Sequence, residues 1–358
     1  MQSEKKILFL VPYPLGKAPS QRFRVELFLP LLRESGFKFS LQPFLDERTG
    51  QRLYQAGSVF FKIIGILKGF LKRIVLLFVK VPFYDYIFIH REAAPLGPPV
   101  LEWIIAKLYR KRIIYDFDDA IWIPNTSSVN YFSRWFKASW KIKYICKWSY
   151  KIVVGNDYLG RYASQFNKDV IQIPTCVDIK KIRIKDKQLN GTLNIGWTGS
   201  HSTLGYLNEV MPVITQLQEN FDFNFLVIAD ENPSLPFKNF EFIPWNASTE
   251  AEDLSRLDIG IMPLSADAWS EGKCGFKLIQ YYACGIPAVA SPVGVNKIIV
   301  DQEVNGLLCA TADEWKFSLQ RLLTDKGLRE KMGIAGRKKI EDFYSIQSQS
   351  QKFIQLFT

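Results

Sequence analysis

No uninterrupted apolar run in this chain reaches the roughly 20 residues that a membrane-spanning helix needs. The longest apolar region, VFFKIIGILKGFLKRIVLLFVKV from Val59 to Val81, is broken by Lys62, Lys68, Lys72, Arg73 and Lys80. Charges at those positions exclude a spanning helix. The opening stretch, MQSEKKILFLVPYP, has only five apolar residues before Pro12, too few for a signal-peptide core, and reads as a first strand. The five cysteines (146, 176, 274, 284 and 309) include no Cys-x-x-Cys pair or other metal-ligand spacing. A reduced, cytoplasmic compartment is therefore expected. Internal repeats and low-complexity segments are absent, and acidic residues are short, 35 against 46 basic ones, for a formal charge of +11. Such a surface attracts phosphates or an anionic membrane.

What is present is enough for two domains, since 358 residues, 47% of them apolar, exceed one ordinary core. Strand-like runs recur along the chain: KILFLVPY, YDYIFIHR, KRIIYDF, KIVVGND and DVIQIPT, then LNIGWTG, FNFLVIAD, FEFIPW, LDIGIMPL and PAVASPV. Interleaved with amphipathic stretches, they imply α/β architecture with parallel sheets covered on both faces. The segment CVDIKKIRIKDKQLNG is charged, poor in large apolar residues and closed by glycine, and the inter-domain connection is expected there. The tail after Arg337 reads as one last amphipathic helix. The expected domains are 1–178, 179–336 and a carboxy-terminal helix, 337–358.

On a helical wheel the five charges and two glycines of 59–81 share an arc of about 140°, which defines one basic amphipathic helix. Two readings are open: a surface helix whose apolar face covers a sheet, or a helix lying among the headgroups of an acidic bilayer. A second basic aromatic run, YFSRWFKASWKIKYICKW at Tyr131 to Trp148, suits a bilayer interface. Nucleic-acid stacking is its alternative, but no nucleic-acid module surrounds it.

Ligands of open α/β sheets bind beyond the carboxyl ends of strands, so the loops there carry the chemistry. In Glu271 to Gly294, EGKCGFKLIQYYACGIPAVASPVG, Gly272 and Gly275 let a ligand approach the backbone. The helix expected from Phe276 points free amides at that ligand, which favours an anion. Lys273 and Lys277 flank the same point; cations at a helix amino terminus oppose the macrodipole, a placement stability alone does not select. The plain alternative is two lysines solvating a helix. The strand LNIGWTG leads to Gly199, Ser200, Ser202 and Thr203, small capping residues that can cradle the same diphosphate. The loop lacks the GK[ST] ending of a P-loop and the close-set glycines of a dinucleotide fingerprint. His201 reads as a capping-loop residue.

These residues carry a resemblance. LNIGWTGSHSTLGYL, LSRLDIGIMPL, GKCGFKLIQYYACGIPAVASPVG and GLREKMGIAGRKKIEDFYS resemble family 4 (group 1) glycosyltransferases of the GT-B fold. KILFLVPYP, SQRFR, IFIHREAAPLGPP and YDFDDAIW extend the resemblance over nearly the whole chain. It implies two Rossmann-like domains with parallel sheets facing a central cleft, and a carboxy-terminal helix returning to the first domain. It also implies sugar transfer from a nucleotide diphosphate donor, with retention and without a metal or other cofactor. The donor base lies near IPWNAST, which includes Trp245, and the diphosphate meets the helix beginning at Phe276.

The sequence departs from the family at informative places. The family's two glutamates, with seven residues between them, correspond to Gly272 and Gln280, where the second normally holds the ribose; Glu271 stands one residue early. The basic residue common after TGSHST is missing, which places more of the phosphate binding on Lys273 and Lys277.

In the first half, one strand ends at His90, Arg91 and Glu92, and the next at Asp116, Asp118 and Asp119. Asp118 or Asp119 takes the place of a histidine found in many relatives, there to accept the acceptor's proton or to steady positive charge on the sugar. The alternative is a helix cap at Asp119 and a pairing of Asp116 with a nearby lysine. DFDD also admits a metal reading, ranked lower because it lies in the half opposite the donor lysines. Arg22 is an acceptor-side clamp or a surface pair.

The expected function is a glycosyltransferase, peripheral on the inner face of the cytoplasmic membrane, that makes a cell-surface glycan on a glycan or lipid-linked acceptor. Its partners are a nucleotide sugar and an anionic membrane met through 59–81 and 131–148, with no nucleic acid. The rival reading is an inactive relative that binds a nucleotide sugar or scaffolds a membrane complex.

Overall fold

The computed structural model describes residues 5–53, 59–123, 138–182, 184 and 191–358, the side chains of 51–53 and 59 excepted. Residues 131–137 of the second basic aromatic run and seven residues of the expected connection, 183 and 185–190, lie outside them. The chain forms two compact units, Met1–Thr175 with Gln349–Thr358, and Cys176–Ser348.

The first unit is built on six parallel strands: β1 (Lys6–Val11), β2 (Lys38–Pro43), β3 (Tyr86–His90), β4 (Arg112–Phe117), β5 (Lys151–Val154) and β6 (Val170–Gln172). Their order is β2-β1-β3-β4-β5-β6. Ile7 to Val11 and Tyr86 to Ile89 are buried on both faces, which is why these runs are continuously apolar. Phe353 and Phe357, from the last ten residues, pack on Phe9, Phe28, Tyr86 and Phe88 of this unit.

The second unit repeats the plan with β7 (Leu193–Thr198), β8 (Phe223–Ala229), β9 (Phe240–Pro244), β10 (Ile259–Met262), β11 (Ala288–Ala290) and β12 (Gly306–Leu308). All are parallel, in the order β12-β11-β10-β7-β8-β9. Each sheet changes winding direction once, between β1 and β3 and between β7 and β10, and a doubly wound sheet opens its ligand crevice at such a point. The loops following β1, β3, β7 and β10 therefore hold the candidate chemistry. Of these twelve strands, β2 and β12 have no counterpart in the sequence reading. KFSLQP is a half-exposed edge strand of mixed polarity, and Gly306–Leu308 is only three residues long.

The tail does not form one helix. Lys326–Phe343 belongs to the second unit and is followed by a separate helix, Ile346–Ile354. At the break Val177 N–H donates to Tyr344 O (3.0 Å), and the Ser345 hydroxyl accepts from Ser348 N–H (3.0 Å) as a new amino-terminal cap.

Val59–Val79 is helical, as its period requires, but it is turned opposite to the sheet-covering reading. Its glycine and cationic side faces the domain. Gly69 lies against the Phe44 ring, where a Cβ would come within 2.6 Å of a ring carbon. Lys68 bonds Asp46 (2.9 Å), Lys72 bonds Pro43 O (2.9 Å), and the buried Arg73 bonds Ala93 O (2.7 Å) and Val11 O (2.9 Å). The apolar side, including Phe60, Leu67, Leu71, Ile74 and Phe78, is exposed. Carbonyl ends and Asp46 offer bonds that the cations take, and only glycine lets the helix approach closely enough to reach them.

Candidate active site

In the second unit the helix Phe276–Ala283 sits over the switch point, and Tyr281 fixes it there. Its hydroxyl accepts from Thr198 N–H of β7 (3.0 Å) and donates to Ile261 O of β10 (3.2 Å), bridging the two strands where their paths diverge. Residue 260 is glycine because a Cβ there would stand 2.4 Å from the Tyr281 ring. The amino cap, Gly275, has φ of 66°, and a Cβ would fall 2.3 Å from Ile299 Cδ1, so both the backbone angle and the space demand glycine.

That placement brings several candidate residues together. Lys277 Nζ stands 5.0 Å from the centroid of the Trp197 ring, a buried indole at the end of β7. The same ring abuts Gly199, where a Cβ would come within 2.3 Å of it. Ser200 caps the following 3-10 helix, His201–Glu209, in a reciprocal box with Thr203, and its hydroxyl bonds that of Ser202 (2.8 Å). His201 N–H donates to Asp230 Oδ1 (2.6 Å), and its ring pairs with Asp230 Oδ2 (2.7 Å) beyond the end of β8.

Lys273 occupies a separate seat, its ammonium 5.2 Å from the Trp269 ring centroid. Glu271 ends the short helix Ala268–Glu271, capped by Asp267, and its Oε1 accepts from Gly294 N–H (3.3 Å). Phe276 opens the long helix and is half-buried. Gln280 and Trp245 converge through a residue that sequence reasoning missed. Glu250 Oε1 accepts from Trp245 Nε1–H (3.0 Å) and from Gln280 Nε2–H (3.1 Å). No periodic or motif signal in the sequence links positions 245, 250 and 280.

In the first unit the strand tips form a network of alternating charge. Asp116 is buried between Arg24, which forms a close ion pair with it, and His90 (Nδ1 to Oδ2, 2.7 Å). His90 Nε2 also reaches Ser20 Oγ (3.0 Å). Arg91 binds Asp118 (2.9 Å) and Asp119 (2.5 Å). Burial works to raise the Asp118 carboxyl, but the Arg91 guanidinium, with His90 and Arg24 behind it, holds it well below the usual carboxylate range. The same two carboxylates outweigh the burial of Arg91 and raise its pKa. Asp118 is therefore an ionised ion-pair member and a weak proton acceptor near neutral pH. All three aspartates of DFDD bond cations of the chain. No cluster of three or more His, Cys, Asp or Glu suited to a metal occurs among the described residues.

Arg22 is half-buried with its guanidinium 4.8 Å from the Phe23 ring centroid, whereas Arg24 is the arginine held in the core. The loop after β1 is organised by two further residues that carried no sequence signal. The buried Gln21 exchanges bonds with the Tyr13 backbone (2.9 Å each way) and donates to Glu26 (2.7 Å), which accepts from Gly16 N–H (2.9 Å).

Comparison places this architecture among the GT-B glycosyltransferases. Sucrose-phosphate synthase from Thermosynechococcus elongatus matches at a TM-score of 0.72 and 15% identity, over 99% of this chain and 98% of that one. HepE from Anabaena, in complex with UDP-glucose, matches at 0.66 and 14%, over 98% of each chain. The lipopolysaccharide outer core galactosyltransferase WaaB matches at 0.63 and 12%, again over 98% of each. Identities this low establish the fold. Residues 193–325, most of the second unit, match the family described as Glycosyl transferases group 1. No curated protein matches the sequence. The second unit thus carries a group 1 glycosyltransferase domain, and the chain as a whole has the fold of these glycosyltransferases.

Proposed function

We propose that the protein transfers a sugar, with retention, from a nucleotide diphosphate donor on its second unit to a lipid-linked or cell-surface glycan. The carrying observation is the ammonium of Lys277 over Trp197, at the amino end of Phe276–Ala283 and beside Gly199. Charge develops on the departing diphosphate as its bond to the sugar breaks. A preorganised ammonium and the positive end of a helix dipole stabilise that charge without a metal. Lys273, held on Trp269, supplies a second cation on the approach to the same helix. Ser200 and Gly199 form the opposite wall, and the Trp245–Glu250–Gln280 group receives the nucleoside. Glu271, tied to Gly294, is the carboxylate nearest the lysines in sequence and orients the donor sugar.

In the first unit, Asp118 and Asp119 serve by holding Arg91, which with His90 and Arg22 faces the acceptor. The solved complex of HepE with UDP-glucose supports a uridine donor, and WaaB supports an acceptor in cell-surface glycan synthesis. The location this implies is the inner face of the cytoplasmic membrane.

The test is thermal unfolding against a panel of nucleoside diphosphates and their sugars, followed by transfer assays with the stabilising donor, with and without EDTA. A bound donor raises the midpoint by mass action. Transfer that survives EDTA is expected; stabilisation without transfer to any acceptor, or activity abolished by EDTA and restored by a divalent cation, overturns the corresponding part of the reading.

A further inference from the structure

The outer face of the helix Val59–Val79 is apolar and cannot be turned inward. Phe60, Leu71 and Phe78 are 69%, 62% and 68% exposed, and Leu67 and Ile74 continue the stripe between them. The opposite face is locked by Arg73 on two backbone carbonyls and by Gly69 on Phe44. An apolar stripe this long on an otherwise charged protein marks a surface that is covered in use.

The neighbouring elements specify what covers it. The helix Val100–Trp103 packs against Val59–Val79 on one side and against Lys141–Trp148 on the other. The connections β2 to β3, β3 to β4 and β4 to β5 all run the same way across the sheet, so right-handed crossovers place all three on one face. The flanking segments expose Trp103, Lys107 and Arg110, and Trp140, Lys143 and Lys147. No Asp or Glu occurs in 59–83 or in 138–151, and the single one in 100–111, Glu102, is buried. The result is an apolar ridge flanked by lysines, arginine and indoles, with no exposed acid on these segments.

We propose that this face docks in the headgroup layer of an anionic phospholipid bilayer, with the ridge of Val59–Val79 among the acyl chains and the flanking cations on lipid phosphates. The helix lies in the plane of the interface, and no helix among the described residues is long and apolar enough to cross. A second copy of the chain is a poor occupant, because a two-fold contact would set identical cationic flanks against each other. The inference deepens the lipid-linked acceptor reading but does not depend on catalysis, since docking needs no donor. It also reverses the electrostatic role expected of this helix: Lys68, Lys72 and Arg73 are spent on the protein, and the helix's contribution is apolar.

The experiment is co-sedimentation of the full chain with vesicles of phosphatidylcholine containing 30 mol% phosphatidylglycerol (roughly the anionic content under which basic surface segments bind), against pure phosphatidylcholine. Binding to the anionic vesicles is expected. The combined change Leu67→Glu, Leu71→Glu and Phe78→Glu is expected to weaken it by at least about 100-fold. Lys107→Gln with Lys143→Gln and Lys147→Gln is expected to cost on the order of 100-fold on anionic vesicles and little on neutral ones. Absent sedimentation of the unaltered chain, or sedimentation indifferent to the glutamates, overturns the proposal. So does a dimer in sedimentation velocity that the same glutamates dissociate. Should that variant not fold, quenching of tryptophan fluorescence in the unaltered chain by acyl-brominated vesicles decides, and no quenching overturns it. A transfer assay on a soluble acceptor fails or succeeds independently of all these outcomes.

Discussion

The ammonium of Lys277 lies 5.0 Å from the centroid of the buried Trp197 ring, tying the head of Phe276–Ala283 to the end of β7. An indole face holds a cation in place while leaving its N–H groups directed at a ligand. Lys277→Ala is expected to lower kcat by on the order of 100-fold, the worth of one preorganised charge on a developing anion. Thermal unfolding without donor should shift little, since a single cation–π contact at such a site is worth about 1 kcal/mol. Steady-state kinetics beside a melting curve check both halves, and near-normal turnover removes this lysine from the mechanism.

Glu250 gathers Trp245 and Gln280 on one carboxylate oxygen. If that group receives the nucleoside, Glu250→Ala releases both partners and loses charge-assisted bonds of about 1.5–3 kcal/mol each. The expected outcome is a rise of about tenfold or more in KM for the donor with kcat nearly unchanged, because the interaction is made equally in ground and transition states. An unchanged KM would show that the carboxylate only props the loop.

Asp118 links acid stability to the Arg91 network. Its folded-state pKa is depressed, so the stability it adds is present above the unfolded carboxylate value of about 3.9 and is lost as pH falls through the lower folded value. Glu92 and Glu102 are raised by burial and act with the opposite sign, so the comparison belongs against Asp118→Asn in the same background. Unaltered protein is expected to exceed that variant by about 2 kcal/mol at pH 7, the worth of a hydrogen bond to a charged group. The gap should narrow below about pH 5. Urea midpoints at pH 7, 5, 4 and 3 measure it, and a gap that widens on acidification contradicts the ion-pair account.

Arg73 and Lys68 occupy the same helix face with opposite consequences. Burial pushes Arg73 down to about 9, still charged near neutral pH, and its bonds to Ala93 O and Val11 O lie in the interior. Arg73→Ala is expected to cost about 3 kcal/mol, from the buried Ala93 carbonyl left without its donor, one of the two bonds at Val11 O lost, and a cavity. Lys68→Ala breaks a solvent-screened pair with Asp46 and should cost less than about 1 kcal/mol. Similar losses for the two would mean that the helix is held otherwise.

Much of the site was legible because the chain places its chemistry where strands end. Gly275, Lys273 and Lys277 follow β10 in one short stretch, and Gly199 and Ser200 follow β7 directly, so strand, loop and helix start could be read from adjacent letters. Glu250 and Gln280 are thirty positions apart in different elements. Arg91 and Asp118 are 27 apart, and the arginine turned expected acid–base residues into halves of ion pairs. Contacts between distant loops leave no periodic trace.

Local sequence by itself determined most of the strands and the alternation that makes both sheets parallel, because period and turn residues act over a few neighbours. It also determined that Val59–Val79 has two unlike faces. Which face turns inward was decided only by the tertiary structure: Phe44, Asp46 and the carbonyls of Val11, Pro43 and Ala93 offer close packing and acceptors to the glycine and cation side. Amphipathic period separates two surfaces but does not say which of them finds its partners within the same molecule.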